Sequence, residues 1–126
     1  MTFESEYEPF FQPPGWIVAP IWIVLYTTLA FSFKIIVQKR DEFSNFSILV
    51  AIFFIQLAIN LTWPSIFNSE KYLISLIMII CMVCLSLVYV FIVHPVSKEA
   101  SKLVWPYIAW VSFAGIINTA YYLEFR

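Results

Sequence analysis

Charged side chains are scarce in this sequence. Asp, Glu, Lys and Arg make up 12% of its 126 residues, about half of the roughly 25% found in ordinary soluble domains. Glycine occurs only twice, histidine once and cysteine twice. Each scarcity excludes something. A formal net charge of −1 gives no electrostatic basis for nucleic-acid binding. Two cysteines, Cys81 and Cys84, cannot build a secreted disulfide framework. A lone histidine, His94, leaves no set of metal ligands. What remains is apolar: 62% of residues are hydrophobic and 20% aromatic. A soluble domain of this size has too high a surface-to-volume ratio to hide that much apolar surface. Disorder is excluded too, because the chain is rich in residues whose burial offsets the entropy of ordering. The expected medium is a lipid bilayer.

A membrane-spanning helix needs about 20 mostly apolar residues. Four stretches qualify, residues 17–37, 46–67, 72–92 and 103–123. The apolar runs are continuous, whereas barrel strands alternate and are about half as long. Short polar connectors make neighbouring spans antiparallel. The sequence therefore predicts an all-α integral membrane protein, an up-down helix bundle in a single domain over 1–126, with no internal repeat. The acidic start MTFESEYEPF is unlike a cleavable signal peptide. Pro20 and Pro106 are expected in the first turns of spans one and four, where a missing N–H costs little. Pro64 is expected to kink or terminate span two. Lys34, Lys39, Arg40, Lys98 and Lys102 fall on one side of the membrane and Lys71 and Arg126 on the other, which favours both termini on the non-cytoplasmic face.

No span contains Asp or Glu, which argues against proton- or cation-coupled transport. His94, beside Pro95, reads as an interfacial loop residue. Cys81-Met82-Val83-Cys84 lies mid-span with no further ligands nearby, so it reads as two small packing residues rather than a redox or zinc pair. No catalytic nucleophile–base pair and no metal site is expected. The informative polar groups are neutral. Gln56, Asn60, Trp63 and Phe67 share one face of span two. Trp110, Ala114, Ile117 and Asn118 share one face of span four, with Gly115 beside them, and Trp22 and Tyr26 lie one turn apart in span one. Amides in hydrocarbon need partners, so Gln56, Asn60 and Asn118 are expected to point into the bundle. On physics alone two readings stand level: an aromatic-lined ligand pocket, or interhelical hydrogen bonding with interfacial aromatic belts.

These residues carry a resemblance. The segment from Gln12 through Pro13, Pro14, Trp16, Pro20 and Trp22 to Tyr26 resembles the P-P-x-W-x-F-x-P-V-W-x-x-L-Y signature of the translocator protein / tryptophan-rich sensory protein (TspO/MBR) family. Gln56 to Phe67 resembles its Q-L-x-L-N-x-x-W-x-x-[IL]-F segment, and Pro106 to Asn118 its P-Y-x-x-W-x-x-F-A-x-x-L-N segment. The resemblance implies a bundle of five transmembrane helices that binds porphyrins, sterols and synthetic isoquinoline or benzodiazepine ligands between helices. It implies ligand contacts from Trp22, Tyr26, Asn60, Trp63, Trp110, Ala114, Ile117 and Asn118. It implies no obligatory cofactor, a porphyrin as ligand, and a bacterial envelope or mitochondrial outer membrane as location. The function so implied is sensing, transport or sequestration of a tetrapyrrole. The alternatives are light-dependent porphyrin breakdown, associated with some bacterial members, and a structural or regulatory role in a membrane complex.

The sequence departs from the family pattern in several places. The family's first helix is expected to be absent here, or cut off by a misplaced start. Its loss would leave an apolar groove for a partner or a second copy in a homodimer. Thr119 and Tyr122 stand where Tyr and Trp are usual, and Ser75 and Ile79 lie where some members carry Trp and an acidic residue. The sterol pattern is approached only as Ile117, Tyr121 and Arg126.

Overall fold

A computed structural model describes residues 15–125 of the chain. Helix α1 runs Gly15–Gln38, a short 3-10 turn Arg40–Glu42 follows, and then come α2 Phe46–Asn68, α3 Tyr72–Val93, α4 Lys98–Lys102 and α5 Trp105–Phe125. No strand occurs among the described residues. Helices α1, α2 and α3, and the stretch Lys98–Glu124 that contains α4 and most of α5, are long and apolar enough to cross a membrane, and the ends of α1, α2, α3 and α5 fall within two residues of the expected spans. The chain is a multi-pass membrane protein. The acidic Glu4, Glu6 and Glu8, the Pro13-Pro14 pair of the first motif, and Arg126 lie outside the described residues.

Local chemistry explains the breaks between helices. Asn45 caps α2, its side chain accepting from the Ile48 N–H at 3.4 Å, and Ser97 caps α4 by accepting from the Ala100 N–H at 3.2 Å. Between α2 and α3 the chain reverses over three residues, Ser69, Glu70 and Lys71. Glu70 adopts φ 64° there, and the Lys71 N–H reaches back to the Ile66 carbonyl at 3.3 Å. Such a left-handed residue closes the helix end and leaves α3 no course except antiparallel to α2.

Each long helix buries one row. Val18, Trp22, Leu25, Leu29, Ser32 and Ile36 face inward from α1, and Leu49, Phe53, Gln56, Asn60, Trp63 and Phe67 from α2. Helix α3 contributes Ser75, Ile79, Met82, Ser86 and Tyr89, and α5 contributes Tyr107, Val111, Ala114, Ile117, Asn118 and Tyr121. The opposite faces present Ile23, Phe31, Phe54, Ile80 and Phe91 outward, as lipid contact requires.

Helix α3 is the spine, with close backbone approach to α2 on one side and α5 on the other. Gly115 permits the second approach: a Cβ there would meet Ile79 Cγ2 at 3.1 Å. Gly115→Val, which adds two further methyls beyond that Cβ, crowds the Ile79 side chain. It should destabilise the bundle by about 1–3 kcal/mol, read as an earlier midpoint in a denaturation series in mixed micelles. Helix α1 meets α2 through large side chains. Phe33 stacks on Phe53 with ring centres 4.8 Å apart, and Ser32 bolts α1 to α3 and α4 by bonding the Tyr89 hydroxyl at 2.9 Å and donating to the Ala100 carbonyl at 2.7 Å.

Four expectations need correction. Helix α1 starts at Gly15, so Pro20 sits in its second turn, not its first; the apolar run beginning at Ile17 concealed the extra residues. Of the two outcomes expected of Pro64, a kink or an end, the end does not occur, since α2 continues through it to Asn68; loss of one N–H near a helix end is tolerated where packing of Trp63 and Phe67 holds the last turn. The connector after α3 is not merely polar loop, because Ser97 caps the short helix α4. Cys81 and Cys84 do not pack inside the bundle, since both lie on the exposed face of α3. Pro106 does occupy the first turn of α5, and His94 is exposed at the end of α3, both as expected.

Candidate ligand-binding site

The eight residues singled out in the sequence converge from α1, α2 and α5 into two adjoining clusters. In the first, the Trp22 ring stacks against Tyr26 at 5.4 Å. It also meets Tyr107 and Trp110 edge-on, each at 6.4 Å. Such offset and edge-to-face pairs each contribute about 0.5–1.5 kcal/mol beyond simple burial. Trp22 is buried, while Tyr26 and Trp110 are half-buried, so the cluster is solid at its centre and offers ring surface at its margins.

A buried hydrogen-bond relay lies behind this wall. The Tyr26 hydroxyl donates to Asn60 Oδ1 at 2.5 Å. Asn60 Nδ2 donates to the Tyr107 hydroxyl at 3.1 Å, and Tyr107 donates in turn to Gln56 Oε1 at 2.6 Å. Three helices, α1, α2 and α5, are thereby joined by four neutral side chains. Met82 Sδ of α3 lies 3.9 Å from the same Tyr107 oxygen.

The second cluster lies one turn along α2. Trp63 Nε1 donates to Asn118 Oδ1 at 3.2 Å, and Asn118 Nδ2 donates to the Tyr72 carbonyl at 2.9 Å. Trp63 stacks on Phe67 at 4.9 Å, which meets Tyr121 edge-on at the same separation. Ala114 and Ile117 are buried on α5 between the two clusters. Asn60, Gln56 and Asn118 thus point inward and find partners, as bilayer-embedded amides must.

The structure adds residues that the sequence did not bring forward. Tyr107 is fully buried and is the hub of the relay. The sequence carries a sign of it, since it lies seven residues before Ala114 on the same helical row and one turn before Trp110. Ser32 and Tyr89 carried no comparable sign, because their meeting depends on how α1, α3 and α4 come together. Ser86, between Met82 and Tyr89 on α3, keeps a buried hydroxyl without a hydrogen-bond partner among the described residues.

The chemistry of this interior is neutral. Among the described residues no group of three or more His, Cys, Asp or Glu side chains could hold a metal ion. Among the described residues the buried polar side chains are Ser, Asn or Gln, apart from the tyrosine hydroxyls and the Trp63 indole N–H. The interior's amides and the Tyr26 and Tyr107 hydroxyls are engaged with one another or with backbone, so what the arrangement presents at its margin is aromatic ring surface, at the half-buried Tyr26 and Trp110.

Comparison with known proteins agrees with the geometry. The chain is 35% identical over 120 residues to Tryptophan-rich protein TspO of Archaeoglobus fulgidus, covering 92% of this chain and 74% of that one. It is 30% identical over 118 residues to the Translocator protein of Bos taurus, covering 92% of this chain and 70% of the relative. Tryptophan-rich protein TspO of Chlorobaculum tepidum is 30% identical over 112 residues, covering 88% and 71%. A match to the TspO/MBR family extends over residues 1–123, so three helical rows, their aromatic wall and nearly the full length of the chain agree: it belongs to the TspO/MBR family.

Proposed function

We propose that this membrane protein binds a planar, largely apolar ligand of the tetrapyrrole class against the wall of Trp22, Tyr26 and Trp110, for sensing, transport or sequestration. The observation that carries this reading is the meeting of Trp22 with Tyr26, Tyr107 and Trp110 across α1 and α5. It combines a broad π surface with a neutral amide, Asn60, held directly behind it. A porphyrin macrocycle is flat, polarizable and uncharged at its centre, which suits stacking on aromatic rings. Its carboxylates would be left toward the polar rim, because the buried rows contain no cation to receive them. Trp63, Ala114, Ile117 and Asn118 are buried, and Trp63 and Asn118 are bonded to each other in the second cluster.

Protoporphyrin IX titrated in the dark into the full chain in detergent tests this. Tryptophan fluorescence should quench saturably, with one binding isotherm. Quenching that only rises linearly with porphyrin, as free detergent-dissolved pigment would produce, overturns the reading. Illuminating the saturated complex then separates holding from chemistry: an unchanged porphyrin spectrum means a binding protein, and a new product spectrum means photochemical breakdown.

A further inference from the structure

Along its outward face α1 carries a second feature, an open groove of about 570 Å3 lined by Ile23, Tyr26, Thr27, Ala30, Phe31 and Lys34. The lining is apolar in effect, because the Thr27 hydroxyl is spent on the Ile23 carbonyl of its own helix at 2.7 Å. Ala30 is exposed and too small to fill the space between Tyr26 and Phe31. At 1.5 Å per residue, Ile23 to Lys34 extends about 16 Å. That is close to half of the roughly 30 Å hydrocarbon core, so the groove has the depth of one leaflet.

One end of the groove is charged. Lys34 is exposed, one turn before the end of α1 at Gln38, and makes no ion pair among the described residues. A lysine at this depth lays its stem along apolar surface and lifts its ammonium to the headgroup level. Lys39 and Arg40 follow at the same end, with Arg40 Nη1 3.2 Å from the Val37 carbonyl. Asp41 and Glu42 lie beyond the helix, in the 3-10 turn.

We propose that this groove binds an anionic phospholipid, one acyl chain lying along Ile23 to Phe31 and the headgroup phosphate meeting Lys34. A phospholipid fits better than a free anion for two reasons. The groove runs the length of a leaflet along α1, which an acyl chain can follow and a free anion cannot. The site is also near the C-terminal end of α1, where the helix dipole disfavours an anion held by charge alone. The acyl chain places the headgroup there, and the lysine then selects among headgroups. One basic side chain near a bilayer surface favours an anionic lipid by about five-fold.

The test is native mass spectrometry of the full chain from mixed micelles holding equal amounts of phosphatidylglycerol and phosphatidylcholine with identical acyl chains. Retained adducts should favour phosphatidylglycerol about five-fold. Lys34→Gln should bring the ratio to near parity, Ala30→Trp should reduce retention of both lipids, and Lys98→Gln, at the same end but on α4, should leave the ratio unchanged. Equal retention by the unaltered chain overturns the proposal, as does a Lys34→Gln ratio like that of the unaltered chain. Displacement of the lipid by glycerol 3-phosphate would mean a free-anion site and also overturns it. So would a lipid-free dimer in which the groove of one copy is covered by another. Dark porphyrin quenching by Lys34→Gln should match the unaltered chain, which shows that the variant folds; Tyr26 lines both the groove and the wall, so the comparison is made at Lys34, which lies outside the wall.

Discussion

Asn60→Leu should destabilise the bundle by about 1–3 kcal/mol. The amide of Asn60 is a two-way connection: it accepts from the Tyr26 hydroxyl and donates to the Tyr107 hydroxyl. Leucine matches its size and removes both bonds. Tyr107 keeps Gln56 as its acceptor, so it loses an incoming bond and is not orphaned. Tyr26 is half-buried and loses the acceptor that holds its ring against Trp22. Interhelical hydrogen bonds in membranes contribute about 0.6 kcal/mol on average and at most about 1.7, because the separated helices also find partners. Two such bonds lost together give the stated range. Tyr26→Phe alone should cost about 1 kcal/mol, chiefly from the unpaired Asn60 oxygen. The double variant should cost less than the sum of the two, since one bond is counted in both. A denaturation series in mixed micelles measures all three, and strict additivity would show that the Tyr26–Asn60 bond holds nothing.

The part of this arrangement that was legible in the sequence is the part that depends on one helix at a time. Gln56, Asn60, Trp63 and Phe67 recur at helical spacing, and hydrocarbon allows amides on such a row only one direction to face. Their burial and their partnering therefore followed from composition and period together. The same reasoning found Trp22, Tyr26, Ala114 and Asn118. It did not find Tyr107, although Tyr107 lies on the α5 row, because a tyrosine near a helix start reads equally well as an interfacial anchor. Only the distances to Asn60 and Gln56 show that its hydroxyl turns inward.

Features set by relations between helices were not legible. The bolt from Ser32 to Tyr89 and Ala100 joins positions 57 and 68 residues apart, and no periodicity within one segment encodes it. The closeness of α3 and α5 at Gly115 is of the same kind, since a glycine in a span marks either a contact or a lipid-facing position until its neighbour is known. The cysteines show the opposite error. Small apolar side chains at Cys81 and Cys84 suggested packing, yet a bundle has two apolar faces and composition cannot say which one meets lipid.

Trp110→Ala should raise the dissociation constant for protoporphyrin by about 10- to 30-fold. Trp110 is half-buried and stands edge-on to Trp22 and 5.6 Å from Phe113, so it presents ring surface where Trp22 is already enclosed. Truncating an aromatic anchor at a binding surface typically costs about 2 kcal/mol, and each 1.4 kcal/mol is about a factor of ten. Stability should change less than affinity, because part of the indole never left the lipid-facing margin. Trp22→Ala should behave differently, lowering stability and affinity together, since Trp22 is 7% exposed and touches three other rings. Trp110→Phe should recover most of the binding, because a flat ring is restored in the same place. Removing a tryptophan also removes a fluorescent reporter, so affinity is to be read from the porphyrin absorption band. A Trp110→Ala isotherm superimposable on that of the unaltered chain would move the ligand away from this wall. Loss of binding accompanied by an equal loss of stability would make Trp110 a packing residue instead.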